Sequence, residues 1–131
     1  MKLTIDKIRN SVHSLVKLNT FDFMPRQSLN LADLTKEIDK KIISSNEVQN
    51  KIAAKYTGTL EEDGMAQKQM DEYNELLQTE VEVNVKPIPF EVVEKATKTV
   101  PPQLLVDLDW LILRPADEPK EEELEGDILD I

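Results

Sequence analysis

The chain has 131 residues, of which 40% are apolar and only 5% aromatic, and it carries a formal charge of −10 with no cysteine. That is enough apolar material for one modest core built on Leu, Ile and Val, while disulfides, thiolate chemistry and cysteine-based zinc sites are excluded. The acidic balance disfavours binding to nucleic-acid phosphates, which needs clustered Lys and Arg to displace counterions.

The charge is unevenly spread. Residues 115–131 hold eight Asp/Glu against one Lys, so they carry −7 of the −10 and leave −3 on residues 1–114. The sequence therefore divides into a single helical domain, 1–114, and an acidic tail, 115–131, in which mutual repulsion opposes formation of a core. The expected class is mainly α with a small β component, α+β.

In chain order, Thr4 is placed to cap a first helix whose Ile5, Ile8, Val12, Leu15 and Val16 recur at helical spacing, with Asn19 as its stop. The segment 20–30 breaks that period, and its Phe21, Phe23 and Met24 predict a linker lying across a helix face. A long helix is predicted over 26–57, with Leu31, Leu34, Ile38 and Ile42 as one stripe and Val48, Ile52 and Tyr56 as its thinner continuation; Gly58 stands where a C-terminal cap belongs. At ~1.5 Å per residue such a helix exceeds the diameter of about 36 Å expected for a compact chain of this size, so it should overhang its own core. A second helix over 65–78, carrying Met70, Tyr73, Leu76 and Leu77, is expected to fold back on it as an antiparallel hairpin.

The period then changes to two. Val81, Val83 and Val85 alternate with Glu80, Glu82 and Asn84 before Pro87, which predicts a short strand near 80–86. A lone strand leaves backbone groups unpaired, and two partners are open to it: the N-terminal segment around Leu3 and Ile5, or an edge supplied by another chain. Pro89 and Pro101 then open two further short helices, the second running through Leu104, Leu105, Leu108, Leu111 and Ile112. Trp110, among those last residues, is expected to be a core anchor.

Four stretches in this order, VKLN at the end of the first helix, LADLTKEIDKKIISSNEVQNKIAAKYTG, MDEYNELLQTEVEVNVKPIPFEVV and VPPQLLVDLDWLI, resemble a family of small phage-encoded proteins of undefined function. The resemblance runs from Val12 to Ile112 and leaves out the acidic extension. It implies a phage gene product made in the cytoplasm of a bacterial host, with assembly into the virion as a further implication, and it carries over no active-site residue.

Chemistry has few candidates. His13 is the single histidine, and Ser11 and Ser14 beside it do not form a nucleophile–base pair on local spacing, so a helix-face role is expected. The carboxylate groups Glu61, Glu62, Asp63 and Asp71, Glu72, Glu75 lack the alternating oxygen ligands and central Gly of a calcium loop. Gly58, Gly64 and Gly126 are not spaced to cradle phosphates. The lysines of the long helix alternate with acids at i,i+3 and i,i+4 spacing and read as exposed-face support, worth a few tenths of a kcal/mol each. No cofactor, metal or small-molecule substrate is expected. No secretory signal is evident, since Lys2, Asp6, Lys7 and Arg9 interrupt the N-terminal segment, and no run approaches the roughly 20 apolar residues of a membrane span.

These readings point to a protein that acts by protein–protein contact without catalysis: a virion-associated structural or assembly component, self-associating or bound to a larger phage protein. The alternative is an acidic inhibitor or DNA mimic directed at a basic host protein. Candidate contact residues are Val48, Ile52 and Tyr56 on the long helix, and Leu124, Ile128, Leu129 and Ile131, aliphatic side chains set among the carboxylates of the tail. The tail either docks those groups on a partner or serves as a solvated extension.

Overall fold

A computed structural model describes residues 1–114. The aliphatic contact candidates of the tail, Leu124, Ile128, Leu129 and Ile131, lie outside the described residues. The described chain is mainly helical with a small β component. Its elements are β1 (Lys2–Thr4), α1 (Ile5–Leu18), α2 (Pro25–Lys55), α3 (Met65–Gln78), β2 (Glu80–Glu82), β3 (Ile88–Pro89), α4 (Phe90–Ala96), α5 (Pro102–Asp107) and β4 (Ile112–Leu113).

Helix α1 starts where Thr4 takes extended backbone angles and its hydroxyl accepts the Lys7 N–H at 3.1 Å, with Asp6 in the first turn favourably placed against the helix dipole. Asn19 ends it, its side-chain amide donating to the Leu15 carbonyl at 2.8 Å and to Thr35 Oγ1 on α2 at 3.0 Å. One side chain thus closes the first helix and ties it to the second. The buried stripe is Ile5, Ile8, Ser11, Leu15 and Leu18, with Ser14 beside it. Val16, expected on the apolar face, is exposed because it sits a hundred degrees around the helix from Leu15.

Pro25 opens α2 at a position where a missing N–H costs nothing. The 31 residues of the helix extend for about 46 Å. Two elements cover it in series. Over its first half, Leu31, Leu34 and Ile38 are buried against α1, the closing segment and Phe23 of the linker; Met24 points into solvent. Over its second half α3 returns antiparallel, so that Tyr56 is level with Glu72, and Val48 and Ile52 share a groove with Leu76. The connection uses Gly58 and Gly64, both left-handed with φ of 81° and 79°, a conformation that disfavours a side chain.

The predicted strand is paired within the chain. β1 and β2 run antiparallel with Leu3 opposite Val81, and the pairing continues as the Val83 N–H donates to the Met1 carbonyl at 2.8 Å. Regular strand geometry stops at Glu82, earlier than the 80–86 expected from the alternation, because among the described residues no strand runs alongside Asn84 and Val85; the Asn84 N–H is taken instead by the Glu37 carboxylate of α2 at 3.2 Å.

The closing segment departs further from expectation. Helix α5 stops at Asp107, and Leu108–Leu111 form a turn that leads into β4, which pairs in parallel with β3, Ile88 opposite Ile112. The periodicity of Leu104, Leu108, Leu111 and Ile112 is genuine burial, all four being in the core, but only Leu104 is helical and the other three belong to a turn and a strand. The Ile88 N–H, donating to the Leu111 carbonyl at 2.8 Å, is satisfied only by this change of direction. Ile8, Leu15, Leu18, Ile38, Val83, Ile88, Val93, Leu108 and Ile112 make one core at this end. No described helix is long and apolar enough to cross a membrane.

Candidate functional site

Two polar arrangements pin the body, and both involve residues that periodicity passes over. Ser11 is fully buried, and its hydroxyl accepts the indole N–H of Trp110 at 2.9 Å while lying 2.6 Å from the Lys7 carbonyl and 3.0 Å from that of Asp107. Ser14 donates to Asp107 Oδ2 at 2.7 Å, and Gln103 donates to Oδ1 at 2.8 Å. Those two donors, Ser14 first, hold the Asp107 carboxyl below the usual carboxylate range, with His13 adding a favourable charge. Ser14 spends its proton on a carboxylate, and both carboxylate oxygens have donors, so the cluster clasps α5 to α1. Trp110 is the anchor its sequence context suggested. A serine inside the stripe of Ile8, Leu15 and Leu18 was the available signal, since a buried hydroxyl requires a partner.

The second arrangement sits where α1, α2 and α3 meet. Arg9 donates to Ser45 Oγ from Nε at 3.3 Å and from an Nη at 3.0 Å, to Asn46 Oδ1 at 3.3 Å and to the Tyr73 hydroxyl at 3.3 Å. Among the described residues only neutral groups receive this guanidinium, and Ser45 is buried beneath it. The network fixes the angle at which the α2–α3 pair leaves the body.

Beyond it the two helices form an arm. No residue of α3 is fully buried; Tyr73, Leu76 and Leu77 are only half-covered, and Met70 stays exposed. Of the candidate contact residues on α2, Val48 is 42% exposed and Ile52 half-buried, whereas Tyr56 is only 6% exposed. Tyr56 is therefore corrected from a contact residue to an internal one. Its ring closes the hairpin, its hydroxyl donates to Glu72, and Lys55 reaches the same carboxylate at 2.9 Å with its ammonium 5.6 Å from the Tyr56 ring centre. Glu72 is held below the usual carboxylate range by the Tyr56 hydroxyl and then by Lys55; in return the Glu72 hydrogen bonds push both Tyr56 and Lys55 above their ordinary values.

The arm has an open groove on each flank. One is lined by Gln49, Ile52, Ala53, Ala66, Met70 and Tyr73. The other runs from the base of the arm outward, past Ile5 and Val81 to Val48 and Leu76 and on to Ile52, with Lys41 on one bank and Glu75 on the other. Sequence reasoning found Val48 and Ile52 but not Leu76, Ile5 and Val81, which join them only because β2 and the start of α1 converge at the base of the arm. A small cavity of about 60 Å³ lies between α2 and the β2–β3 connection, lined by Leu31, Leu34, Glu37, Asn84 and Lys86 among others. Among the described residues no group of three His, Cys, Asp or Glu is placed to hold a metal ion.

Comparison with protein families, with curated proteins and with solved structures returns no match to this chain.

Proposed function

We propose that this is a phage protein that works by protein–protein contact without catalysis, as a virion-associated structural or assembly component made in the bacterial host cytoplasm. One observation carries the reading: a third of the described chain is spent on an arm in which α3 buries no side chain completely. A helix pair gains stability chiefly by removing its apolar faces from water. Surface left half-covered along such an arm suits a protein completed by a neighbour. The phage context comes from the resemblance read in the sequence motifs of residues 12–112, and the aliphatic groups in the acidic tail add a second segment suited to docking. Mimicry of DNA is less well supported, because it calls for carboxylates spread over a rigid face, and the described body carries only −3 of the −10.

The test is a tagged copy expressed during infection by the phage that encodes it. The expected result is co-sedimentation of the tag with procapsids, tails or mature particles through a density gradient. Absence from every particle fraction, together with recovery of a basic host DNA-binding protein in a low-salt pull-down that is lost at high salt, would overturn the assignment in favour of the inhibitor.

A further inference from the structure

We infer that the flank of the arm containing Val48, Ile52 and Leu76 is the contact surface for a second copy of this chain, and that two arms pair there into a four-helix bundle with their tips at the same end. This rests on the reading of the protein as an assembly component and names its first partner.

The argument begins with charge. On this flank Ser44, Val48, Lys51 and Lys55 follow one another at i+4, i+7 and i+11 along α2, so Lys51 and Lys55 border Val48 on the outer bank. Lys41 lines the groove nearer the body. Across the groove, Glu75 lines the α3 bank and Asp71 lies one turn farther along it. Among the described residues, Lys41, Lys51, Asp71 and Glu75 make no ion pair. An apolar floor thus lies between an α2 bank in which Lys41, Lys51 and Lys55 outnumber Glu47 and an α3 bank in which Asp71, Glu72 and Glu75 outnumber Lys68.

That polarity selects the occupant. A uniformly acidic partner is attracted by the lysines and repelled by Glu75 and Asp71, and a uniformly basic one meets the reverse. A second copy satisfies both banks at once when its α3 lies over this α2. Two face-to-face arrangements have two-fold symmetry. With the dyad across the arm, α2 faces α2 and lysines face lysines. With the dyad along the arm, α2 faces α3, the helices are antiparallel neighbours throughout, Val48 and Ile52 lie over Leu76 of the other copy, and Lys51 lies over the Asp71–Glu75 stretch of that copy. Charge disfavours the first and favours the second. Glu61, Glu62 and Asp63 of both tips then share one end, a repulsion that their exposed turn leaves screened by solvent. The opposite flank has Gln49, Gln69 and two alanines along its groove and no such banks.

The surface is modest. Two helices side by side for about 14 residues offer a face about 21 Å long and about 20 Å wide, roughly 400 Å² per copy, which falls at the small, weak end of specific interfaces. The pair accordingly forms where copies are concentrated, as they are in an assembling particle.

The test uses the full chain in sedimentation velocity and light scattering over a wide concentration range. The expected mass rises from 15.0 kDa toward twice that value. Lys51→Glu and Glu75→Lys should each weaken dimerisation about tenfold, and the double variant should restore it; circular dichroism checks that each remains helical. Because the chain has no cysteine, Leu60→Cys in the exposed tip provides a single cross-linking position, expected to form a disulfide between copies on oxidation at concentrations where the mass doubles. A mass of 15.0 kDa at every concentration, or a dimer indifferent to both charge reversals, would overturn the inference. So would a monomer that dimerises only after removal of residues 115–131, which would give the groove to that segment. Failure here with retention in particles leaves the assembly role standing, whereas a charge-dependent dimer absent from particles removes that role and keeps the dimer.

Discussion

The two ends of α2 share one helix and live under different physics. Around Leu31, Leu34 and Ile38 the helix meets α1, the linker, the closing turn and β4, and its apolar side chains leave water completely or nearly so. Around Ile52 and Tyr56, beyond the point where Ile5 and Val81 reach Val48, its one neighbour among the described residues is α3, and two cylinders in contact can bury only a narrow seam. Fully burying one aliphatic side chain is worth about 1.5–3 kcal/mol, so each position of the proximal half contributes far more than its equivalent in the arm. The arm holds its shape through polar clasps at its two ends, Arg9 with Ser45, Asn46 and Tyr73 at the base and Lys55–Glu72–Tyr56 near the tip. A segment built this way is ordered enough to present a surface and open enough to share one.

The contrast can be broken most forcefully at the proximal end. Ile38→Ala or Leu108→Ala, each removing a side chain from the centre of the core, should cost about 2–5 kcal/mol in chemical denaturation, while Leu76→Ala in the arm should cost a small fraction of that. Equal losses at the two sites would show that the arm is as tightly packed as the body.

Ser11→Ala should come next, at about 1–3 kcal/mol, because it leaves the indole N–H of Trp110 without its acceptor. Trp110→Phe in the same background removes the orphaned donor, and the pair of substitutions should cost less than the sum of the two measured separately.

Acid should sharpen the comparison by loosening the arm. Glu72 has a folded pKa below its ordinary 4.5, so its contribution to stability is complete above pH 4.5 and is lost as the pH falls from there through the depressed folded value. Asp107, held below its ordinary 3.8, behaves in the same way in the body and begins to lose its contribution lower. Hydrogen exchange followed by residue should therefore show α3 amides losing protection first on acidification. Tyr56→Phe should raise exchange severalfold in the arm at neutral pH and leave α1 unchanged; uniform change across both regions would contradict the division. Smallest of all, Val16→Ala should fall within about 0.5 kcal/mol of the parent, since Val16 is exposed despite its place in the heptad-like run.

Much of this was written in local sequence. Thr4 and Asn19 bracket α1, Pro25 and Gly58 bound α2 and its turn, and the alternation of Val81 and Val83 marks a strand, because caps, prolines, glycines and side-chain period act over a few residues and need no distant partner. The overhang of α2 was likewise legible, as a matter of length alone. Tertiary structure decided what depends on residues far apart in the chain. It selected Leu3 as the neighbour of Val81, ended α5 at Asp107 so that Ile112 could pair with Ile88, and found donors and acceptors for Ser11, Ser14 and Arg9. It also withdrew Tyr56 from the surface while adding Leu76, Ile5 and Val81 to the groove of Val48 and Ile52. Periodicity tells which face of a helix is apolar; how much of that face is covered depends on how many elements reach it, and along α2 that number falls from several to one.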